Sequence, residues 1–405
     1  MTLPAASLFT HVPAYPGDPI LSLMDDFQRD PRPGKVSLSV GLYFDEQGRL
    51  PVLEAIRQAE AQLARHVQPC GYLPMEGAPD YRAAVQQLVF GAAREAVQSN
   101  RIATLQTLGG SGALKVGADF LRRYFPDAGV WVSDPTWENH VAIFEGAGFQ
   151  TGTYPYYDPA SGALRFDAML AALRALPRGS IVLLHACCHN PTGIDLSRQQ
   201  WQALIPVLLQ GGLIPFVDMA YQGFGDGLDE DAWPVRALAD AGVQGFVGNS
   251  FSKNFSLYGE RCGALHVICT DAAAAQTVLG QLKATVRRNY SSPPTHGARL
   301  IAAVLQQPPL LALWQQELAA MRERIRAMRA QLRDALRQRL PARDWDYLVT
   351  QRGMFSYTGL SAAQVDQLRQ QHAIYLVRSG RLCLTGLTPQ NVPQVAQAIA
   401  SLPAV

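Results

Sequence analysis

The sequence predicts an α/β protein in which helices cover a mostly parallel sheet, with a smaller α+β domain beside it. Between about residues 51 and 317, short apolar runs alternate with segments of helical periodicity, as buried parallel strands alternate with their crossover helices. After about residue 318, a long helical pattern leads into strands and helices in a different order. We therefore expect a Pro- and Gly-rich N-terminal segment in residues 1–50, a large domain in 51–317 and a small domain in 318–405.

Each element is predicted from its own pattern, helices from apolar residues at three- and four-residue spacing and strands from short apolar runs. The predicted helices of the large domain are Leu53–Ala64, Gly112–Tyr124 and Val141–Ala147. Its predicted strands are Gly129–Ser133, Ser180–Ala186, Leu213–Val217, Phe246–Asn249 and Gly263–Cys269. The strands expected outside it are Lys35–Leu42, Asp346–Thr350, Gly353–Ser356 and Leu382–Thr385.

A long amphipathic helix is expected after about Leu318, in the most arginine-rich part of the chain. Its apolar residues recur every three or four positions; they are Leu318, Met321, Ile325, Met328, Leu332 and Leu336. The arginines between Arg322 and Arg339 then cover the opposite, solvated face. Since the net charge is only +2, from 35 basic and 33 acidic residues, we expect no nucleic-acid partner.

The chain has the features of a cytoplasmic protein. Its six cysteines lack the spacing of a disulfide framework, which favours free thiols in a reducing compartment. The N-terminus, with Pro4, His11 and Pro13, lacks the apolar run of a signal peptide. No stretch approaches the roughly 20 apolar residues of a membrane span, so no membrane partner is expected.

Lys253 is the first candidate for chemistry. It lies in a loop of small hydroxyl residues that includes Ser250 and Ser252, and Arg261 follows eight residues later. A lysine amine can form a Schiff base with an aldehyde, while hydroxyls and a guanidinium can hold a phosphate dianion. The loop therefore favours a phosphorylated aldehyde cofactor, although a solvated lysine is the alternative when the loop is considered by itself.

Two further motifs at the ends of secondary-structure elements suit the same ligand. Gly109–Lys115 opens a helix, where glycines let backbone N–H groups approach an anion and Ser111 offers a hydroxyl. Its spacing matches neither a dinucleotide-binding motif nor a P-loop, so a glycine-rich turn is the alternative. Trp137 follows the Gly129–Ser133 strand and can stack on a flat heteroaromatic ring, the alternative being a core tryptophan.

His185, Cys187 and His189 would alternate along one face of a predicted strand, as metal ligands can. Zinc sites usually show paired ligands with a second pair elsewhere, and this sequence has no such second pair. We therefore expect no metal. The sharper signal is Asn190, which a tight Asn-Pro-Thr-Gly turn presents at a strand end.

Asp218 ends a predicted apolar strand, and Tyr221 follows three residues later. A carboxylate in apolar surroundings needs a cation, and the protonated nitrogen of a pyridine ring fits; a structural arginine or a helix cap is the alternative.

Arg381, near the start of a C-terminal strand, can bind a carboxylate through two hydrogen bonds. Arg287 lies in another cationic loop, which a surface charge pair explains equally well.

These groups together match a known family. The chain resembles the class I aminotransferases of the aspartate and aromatic amino-acid subfamily, which use pyridoxal phosphate, over nearly its whole length, from Gly17–Leu21 to Gly380–Arg381. The segments most similar to the bacterial tyrosine (aromatic amino-acid) branch are Leu108–Phe120, Val130–Phe144, Cys187–Gly193, Ser250–Arg261 and Gly353–Gln367. The resemblance implies the fold-type I architecture: a large cofactor-binding domain with a seven-stranded type of sheet, and a small domain to which residues 1–50 also contribute.

The resemblance assigns the cofactor site. Lys253 resembles the Schiff-base lysine and proton-shuttling base, Asp218 the partner of the pyridine nitrogen, and Trp137 the stacking ring. Tyr221 and Asn190 are similar to the groups that bind the ring oxygen. The phosphate cradle implied by the family consists of Gly110, Ser111, Ser250 and Arg261, completed by Tyr72 from the second subunit of a homodimer.

The resemblance also assigns the substrate site. Arg381 resembles the clamp for the α-carboxylate, assisted by Gly41, Trp137 and Asn190. Arg287 resembles the arginine of the neighbouring subunit that meets a distal carboxylate.

Two positions depart from the family's pattern. Arg378 replaces a small residue and adds a cation near Arg381. Ser292 replaces an asparagine common in aspartate-preferring members, which favours aromatic substrates.

The activity implied is transamination between aromatic amino acids, with aspartate as a further substrate, and 2-oxoglutarate. A mobile Arg287 would let one pocket accept either a carboxylate or a phenol ring, because a buried unpaired guanidinium is costly. The alternatives are an aspartate-preferring aminotransferase and a non-catalytic, ligand-binding relative. A dinucleotide-dependent dehydrogenase is less well supported, since its glycine spacing and ribose-binding acid are missing.

Overall fold

The structure is a computed structural model of the chain. It describes residues 8–15, 17, 19–65, 69–159 and 161–403. The start of the predicted N-terminal segment, with Pro4, and Asp18 of the Gly17–Leu21 motif lie outside the described residues.

Helices and strands alternate along most of the described chain. The helices are α1 Pro19–Arg29, α2 Glu54–Arg65, α3 Pro79–Phe90, α4 Glu95–Gln98, α5 Gly109–Tyr124, α6 Glu138–Glu145, α7 Phe166–Arg174, α8 Arg198–Gly211, α9 Leu228–Asp240, α10 Ala272–Asn289, α11 His296–Gln306, α12 Pro308–Arg339, α13 Tyr347–Thr350, α14 Ala362–His372 and α15 Val392–Ala400. The strands are β1 Val36–Ser37, β2 Ile102–Leu108, β3 Val130–Asp134, β4 Thr151–Pro155, β5 Tyr157–Asp158, β6 Ala163–Leu164, β7 Ile181–His185, β8 Ile214–Met219, β9 Gly245–Ser250, β10 Cys262–Ile268, β11 Phe355–Tyr357, β12 Ile374–Tyr375 and β13 Arg381–Cys383.

Seven strands form one sheet, in the order β2, β10, β9, β8, β7, β3 and β4. Pairing is parallel from β9 across to β4, whereas β10 runs antiparallel to both of its neighbours. The prediction of a mostly parallel sheet is thereby confirmed. Because the other strands share one direction, the carboxyl ends of β2, β3, β7, β8 and β9 and the amino end of β10 meet at one edge, where ligands of such sheets bind.

Apolar side chains cover both faces of this sheet. Along β7, Val182 and Leu184 belong to one buried cluster, while Ile181 and Leu183 belong to a second. Successive side chains of a strand point to opposite faces, so a continuous apolar run is what covering on both sides requires.

A third buried cluster joins the two ends of the chain. It contains Val36 and Leu38 from the N-terminal segment, Leu332 from α12 and Val395 from α15. Strand β1 pairs parallel to β12, and β11 pairs antiparallel to β13. Helix α12 runs through residue 318, contributing Leu318 to the first cluster and Leu332 to the third.

The predicted long helix is confirmed, although it begins at Pro308 and not near Leu318. Proline is favoured in a first helical turn because its missing N–H has no partner there in any case. All six of the predicted apolar residues on this helix are buried. Among the described residues, no helix has both the length and the apolar character to cross a membrane.

The strand predicted at Asp346–Thr350 is wrong, because the segment forms the short helix α13. The Asp344 carboxylate accepts the N–H of Asp346 at 2.8 Å, and the Asp346 carbonyl accepts two N–H groups of the following turn. Leu348 is buried by this turn. The β-branched residues of the segment favour a strand when a neighbouring strand is available, and here the helical turn buries the leucine without one.

Candidate active site

A cavity of about 260 Å³ lies at the carboxyl edge of the seven-stranded sheet. The turns after β2, β3, β7, β8 and β9 each contribute residues to it, and so does the turn before β10. The predicted site residues that line it are Gly41, Gly110, Ser111, Trp137, Asn190, Asp218, Tyr221, Ser250, Lys253, Arg261 and Arg381. The fold therefore brings together groups from seven separate regions of the sequence.

Lys253 lies just after β9, with Nζ 4.7 Å from the centre of the Tyr221 ring. Burial lowers the pKa of Lys253 to about 8; the Arg261 and Arg381 charges act in the same direction, and Asp218 opposes them. Near neutral pH, an amine with such a pKa loses its proton more readily than an exposed lysine, which suits a nucleophile or a base.

Asp218, in β8, accepts a hydrogen bond from His140 Nε2 at 2.9 Å. The other ring nitrogen of His140 is 2.8 Å from the Thr136 hydroxyl. Burial raises the pKa of Asp218, but the His140 hydrogen bond and the nearby positive charges outweigh it, so that the pKa of this carboxyl lies below its ordinary value. Asp218 is therefore an ionised carboxylate facing the cavity, as a protonated ring nitrogen requires.

An anion cradle forms where α5 begins. A Cβ atom on Gly109, whose φ is +67°, would lie 2.7 Å from Nη2 of Arg261, and one on Gly110 would lie 3.1 Å from Cβ of Ser250. Glycine is thus what lets the backbone at the start of α5 approach the two side chains. With Ser111 also lining the cavity, N–H groups, hydroxyls and a guanidinium converge as a phosphate dianion requires.

Arg381 is 4% exposed and is held from two sides. Its Nη2 donates to the Ser39 carbonyl at 2.8 Å, and Nη1 donates to Oδ1 of Asn190 at 3.3 Å. Its guanidinium carbon lies 4.4 Å from the centre of the Phe355 ring. Among the described residues, its buried Nε has no acceptor. A buried donor without a partner beside a cavity suits a ligand with an oxyanion.

Tyr221 and Asn190 provide neutral hydrogen-bonding groups. Burial raises the pKa of the Tyr221 phenol above its ordinary value, so the hydroxyl keeps its proton and can donate it in a hydrogen bond. Its ring meets Phe355 edge to face, with centroids 5.9 Å apart. Asn190 begins the turn after β7. Its Oδ1 accepts a hydrogen bond from Arg381 and so connects the edge of the large sheet with strand β13.

Four positions from the sequence analysis lie away from this cavity. Tyr72 is 98% exposed. Arg287, at the end of α10, is exposed and donates to the Ser291 hydroxyl. Arg378 is 70% exposed and pairs with Asp366 at 2.9 Å, so its guanidinium does not enter the Arg381 clamp. Ser292 lies in the turn after α10 and is not part of the cavity wall.

Sequence reasoning missed several residues of the site. The additional residues in the wall are Ile20, Leu114, Ala220, Tyr258 and Phe355, and Ser252 of the predicted hydroxyl loop also lines it. His140 supports Asp218 from behind, and its place three residues after Trp137 in the same motif was an available signal. No comparable signal exists for Phe355, which reaches the cavity only through the pairing of β11 with β13.

The cysteines do not form the metal arrangement considered from the sequence. In the described part of the chain, the ligand atoms that lie within 4.8 Å of one another belong to Cys187, Cys188 and Asp231, and His185 and His189 are not in this group. The Asp231 carboxylate already accepts three backbone N–H groups. Burial lowers the pKa of His185 to about 3, so this side chain is neutral. All six cysteines are free thiols.

Known proteins resemble this chain over nearly its whole length. The family model for aminotransferases of class I and II matches residues 33–399. The aromatic-amino-acid aminotransferase of Escherichia coli K12 is 60% identical over 98% of this chain and all of its own length. The aspartate aminotransferase of Pseudomonas aeruginosa is 49% identical over the same shares. The crystal structure of an aromatic-amino-acid aminotransferase from Burkholderia pseudomallei, covalently bound to pyridoxal phosphate, is 50% identical with a TM-score of 0.96 and covers 98% of this chain and 99% of its own. The chain therefore belongs to the class I and II aminotransferase family.

Proposed function

We propose that the protein is a pyridoxal-phosphate-dependent aminotransferase that transfers the amino group of tyrosine or phenylalanine, and also of aspartate, to 2-oxoglutarate. The products are the corresponding 2-oxo acid and glutamate. The observation that carries the proposal is that Lys253, Asp218 and Arg381 line one cavity. An amine, a carboxylate and a carboxylate-binding guanidinium are what this chemistry needs in one place.

The residues present fit pyridoxal 5′-phosphate. Asp218 would hold the proton on its ring nitrogen, Asn190 and Tyr221 would bind the ring oxygen, and Trp137 would cover the ring face. Its phosphate suits the glycine-dependent cradle, formed by Gly110, Ser111, Ser250 and Arg261. When bound, the cofactor supplies an aldehyde that captures amino groups and a ring that withdraws electrons.

The chain's own residues would then bind the substrate and move one proton. Arg381 would bind the α-carboxylate of the substrate through its unpartnered edge, with Gly41, Trp137 and Asn190 closing the pocket around it. Lys253 Nζ would accept the proton from the substrate's Cα and return it on the cofactor side. A pKa of about 8 is near the value at which one amine can do both at neutral pH.

A second copy of the chain would complete the site. Tyr72 and Arg287 lie outside the cavity of their own chain and are exposed, which supports a homodimer in which they reach the partner's cavity. There Tyr72 would bind the phosphate and Arg287 a distal carboxylate. We further propose that the protein is cytoplasmic. We also propose a large domain at residues 51–317 and a small domain formed by residues 1–50 and 318–405.

Mixed dimers test this sharing of sites. Dimers formed from Lys253→Ala and Arg287→Ala chains contain one cavity with both native residues, if Arg287 serves the partner. Their activity towards aspartate should be about a quarter to a half of wild type, whereas either variant by itself should be nearly inactive towards aspartate. Mixtures no more active than the separate variants would contradict the shared site.

Substrate preference is tested by kcat/KM for tyrosine, phenylalanine and aspartate. We expect aromatic rates at least comparable with the aspartate rate; a negligible aromatic rate would instead favour an aspartate aminotransferase, the name carried by the 49% identical relative. A wild-type protein without cofactor absorbance would favour a ligand-binding relative. Transamination by Lys253→Ala at the wild-type rate would contradict the assigned chemistry.

A further inference from the structure

Residues 38–43 run past the cavity next to the carboxylate clamp. They include Gly41, which lines the cavity and packs so closely on Phe355 that a Cβ there would lie 3.0 Å from the ring. One side of this segment is held by β13 and the turn after it. The hydrogen bonds are Cys383 N to Leu38 O at 2.8 Å, Arg381 Nη2 to Ser39 O at 2.8 Å and Thr385 Oγ1 to Leu42 O at 2.5 Å.

The other side of the segment is held by a tyrosine of the cofactor loop. The Tyr258 hydroxyl accepts the backbone N–H of Tyr43 at 2.8 Å. Tyr258 lies between Lys253 and Arg261 in sequence, and its carbonyl accepts a hydrogen bond from Arg261 Nη1 at 3.0 Å. One residue thus contacts both the phosphate-binding guanidinium and the segment that carries Gly41.

This connection spans the two ends of the reaction site. Arg381 and the 38–43 segment lie at the end that would bind the substrate's carboxylate, while Lys253 and Arg261 lie at the end that would hold the cofactor. A further contact, from the Ser256 hydroxyl to the Pro51 carbonyl at 2.7 Å, reaches the chain beyond this segment. The rate of a reaction between held groups depends steeply on their relative placement.

We propose that Tyr258 is a positioning residue, whose hydroxyl ties the Gly41 segment to the cofactor loop and so sets the carboxylate clamp relative to Lys253. The proposal rests on the proposed function. It differs from a role in folding alone, because the ring of Tyr258 can fill its space without the hydroxyl, whereas the N–H of Tyr43 cannot be held without it.

Tyr258→Phe separates these two roles, since it removes the acceptor and keeps the ring. The matched control is Tyr154→Phe, which removes another buried hydroxyl, one that donates to the Leu183 carbonyl at 2.7 Å in the core. Both variants are compared with wild type as cofactor-loaded protein. The probes are 3-phenylpropionate, which has a ring and a carboxylate but no amine, and 2-phenylethylamine, which has the ring and the amine but no carboxylate.

The expected result is a loss confined to ligands with a carboxylate. Tyr258→Phe should raise the dissociation constant of 3-phenylpropionate, and the KM of phenylalanine and 2-oxoglutarate, by about 2- to 12-fold, the range for one hydrogen bond. The kcat should fall as well, because a displaced clamp moves the Cα of the bound substrate away from Lys253. Binding of 2-phenylethylamine and the cofactor absorbance should match wild type, and Tyr154→Phe should match it throughout.

Two results would overturn the proposal: unchanged binding of 3-phenylpropionate, or equal weakening of both probes in Tyr258→Phe. Equal losses in Tyr154→Phe would also overturn it, since they would reflect a general effect of removing a buried hydroxyl. Failure of the proposed function gives a different outcome, because wild type would then not transaminate, while binding of the two probes would still report on the clamp.

Discussion

The Asp218 carboxylate and the His140 ring are joined by a hydrogen bond of 2.9 Å inside the protein, where the histidine side chain is fully buried. His140 lies on α6 and Asp218 on β8, so the contact fixes a carboxylate of the sheet by means of a helix packed against it. It also lowers the pKa of Asp218 against the effect of burial. The charge that would face the ring nitrogen of a cofactor therefore depends on a residue outside the cavity.

Replacing His140 by leucine should lower kcat/KM for phenylalanine by about 10- to 100-fold, the range for residues that orient a functional ligand from behind. The physical reason is that the Asp218 carboxylate loses its donor and its charge becomes costlier to bury. Steady-state kinetics of the cofactor-loaded protein measure the effect. His266→Leu is the matched control, because His266 is another buried histidine but lies on β10 beside Thr104. A His140→Leu enzyme as active as the control would contradict this role.

Replacing Gly109 by alanine should weaken cofactor binding, because the new methyl group meets the Arg261 guanidinium. Gly242→Ala is a control with the same backbone requirement: its φ is +73°, and nothing lies within 4 Å of the added Cβ. Both variants should lose roughly 1–2 kcal/mol of unfolding free energy, because alanine, unlike glycine, is strained at a positive φ. Equilibrium titration with pyridoxal phosphate distinguishes them, and equal cofactor affinity in the two variants would argue against the cradle.

Replacing Arg381 by lysine should raise KM for phenylalanine and 2-oxoglutarate by roughly 10-fold or more, because lysine cannot make the two-point contact with a carboxylate. Arg378→Gln should change the same KM values less than about twofold, since exposed ion pairs such as Arg378–Asp366 contribute about 0–1 kcal/mol. Initial-rate measurements on both variants make the comparison. A large effect of Arg378→Gln would show that this arginine influences the clamp after all.

Replacing Lys253 by methionine should stabilise the cofactor-free protein at neutral pH. The pKa of Lys253 is lowered by burial from 10.5 to about 8, so at pH 7 the folded state holds a proton on a group that burial disfavours. The protonated Lys253 therefore lowers the free energy of unfolding by up to about 3 kcal/mol. This loss disappears as pH rises from 8 towards 10.5, because the folded state then carries the neutral amine. Denaturant unfolding at pH 7 and pH 10 measures the free energy of unfolding of the variant and of wild type. A gain in stability from methionine that is equal at both pH values would contradict the lowered pKa.

The sequence predicts the parts of the site that follow apolar strands. Asp218 and Lys253 come directly after such runs, so their meeting at one edge could be inferred from the parallel sheet. Strand β2 escaped detection because Thr104, Gln106 and Thr107 interrupt its apolar character. In the fold these residues have partners: Thr104 bonds the ring of His266 at 3.0 Å, and Gln106 donates to the Pro294 carbonyl at 2.7 Å. Such pairings between distant residues leave no periodicity in the sequence.

The roles proposed for Tyr72 and Arg287 could not be located from the fold of one chain, because neither side chain lines its cavity. Tyr258 and Phe355 were missed for a different reason. Each lies within a segment that the family resemblance covers, but their importance depends on contacts with residues 38–43 that are over 200 positions away in the chain. Local patterns identify groups with chemistry of their own, and they do not identify residues that hold others in place.

The antiparallel strand β10 has a consequence for how the site is assembled. Because β9 and β10 are adjacent and run in opposite directions, the loop between them connects neighbours directly, and that loop carries both Lys253 and Arg261. The group that would take the aldehyde and the group that would take the phosphate are thus separated by a stretch of chain that needs no crossover helix. An insertion in this loop would therefore shift Lys253 and Arg261 relative to each other and disturb both ends of cofactor binding at once.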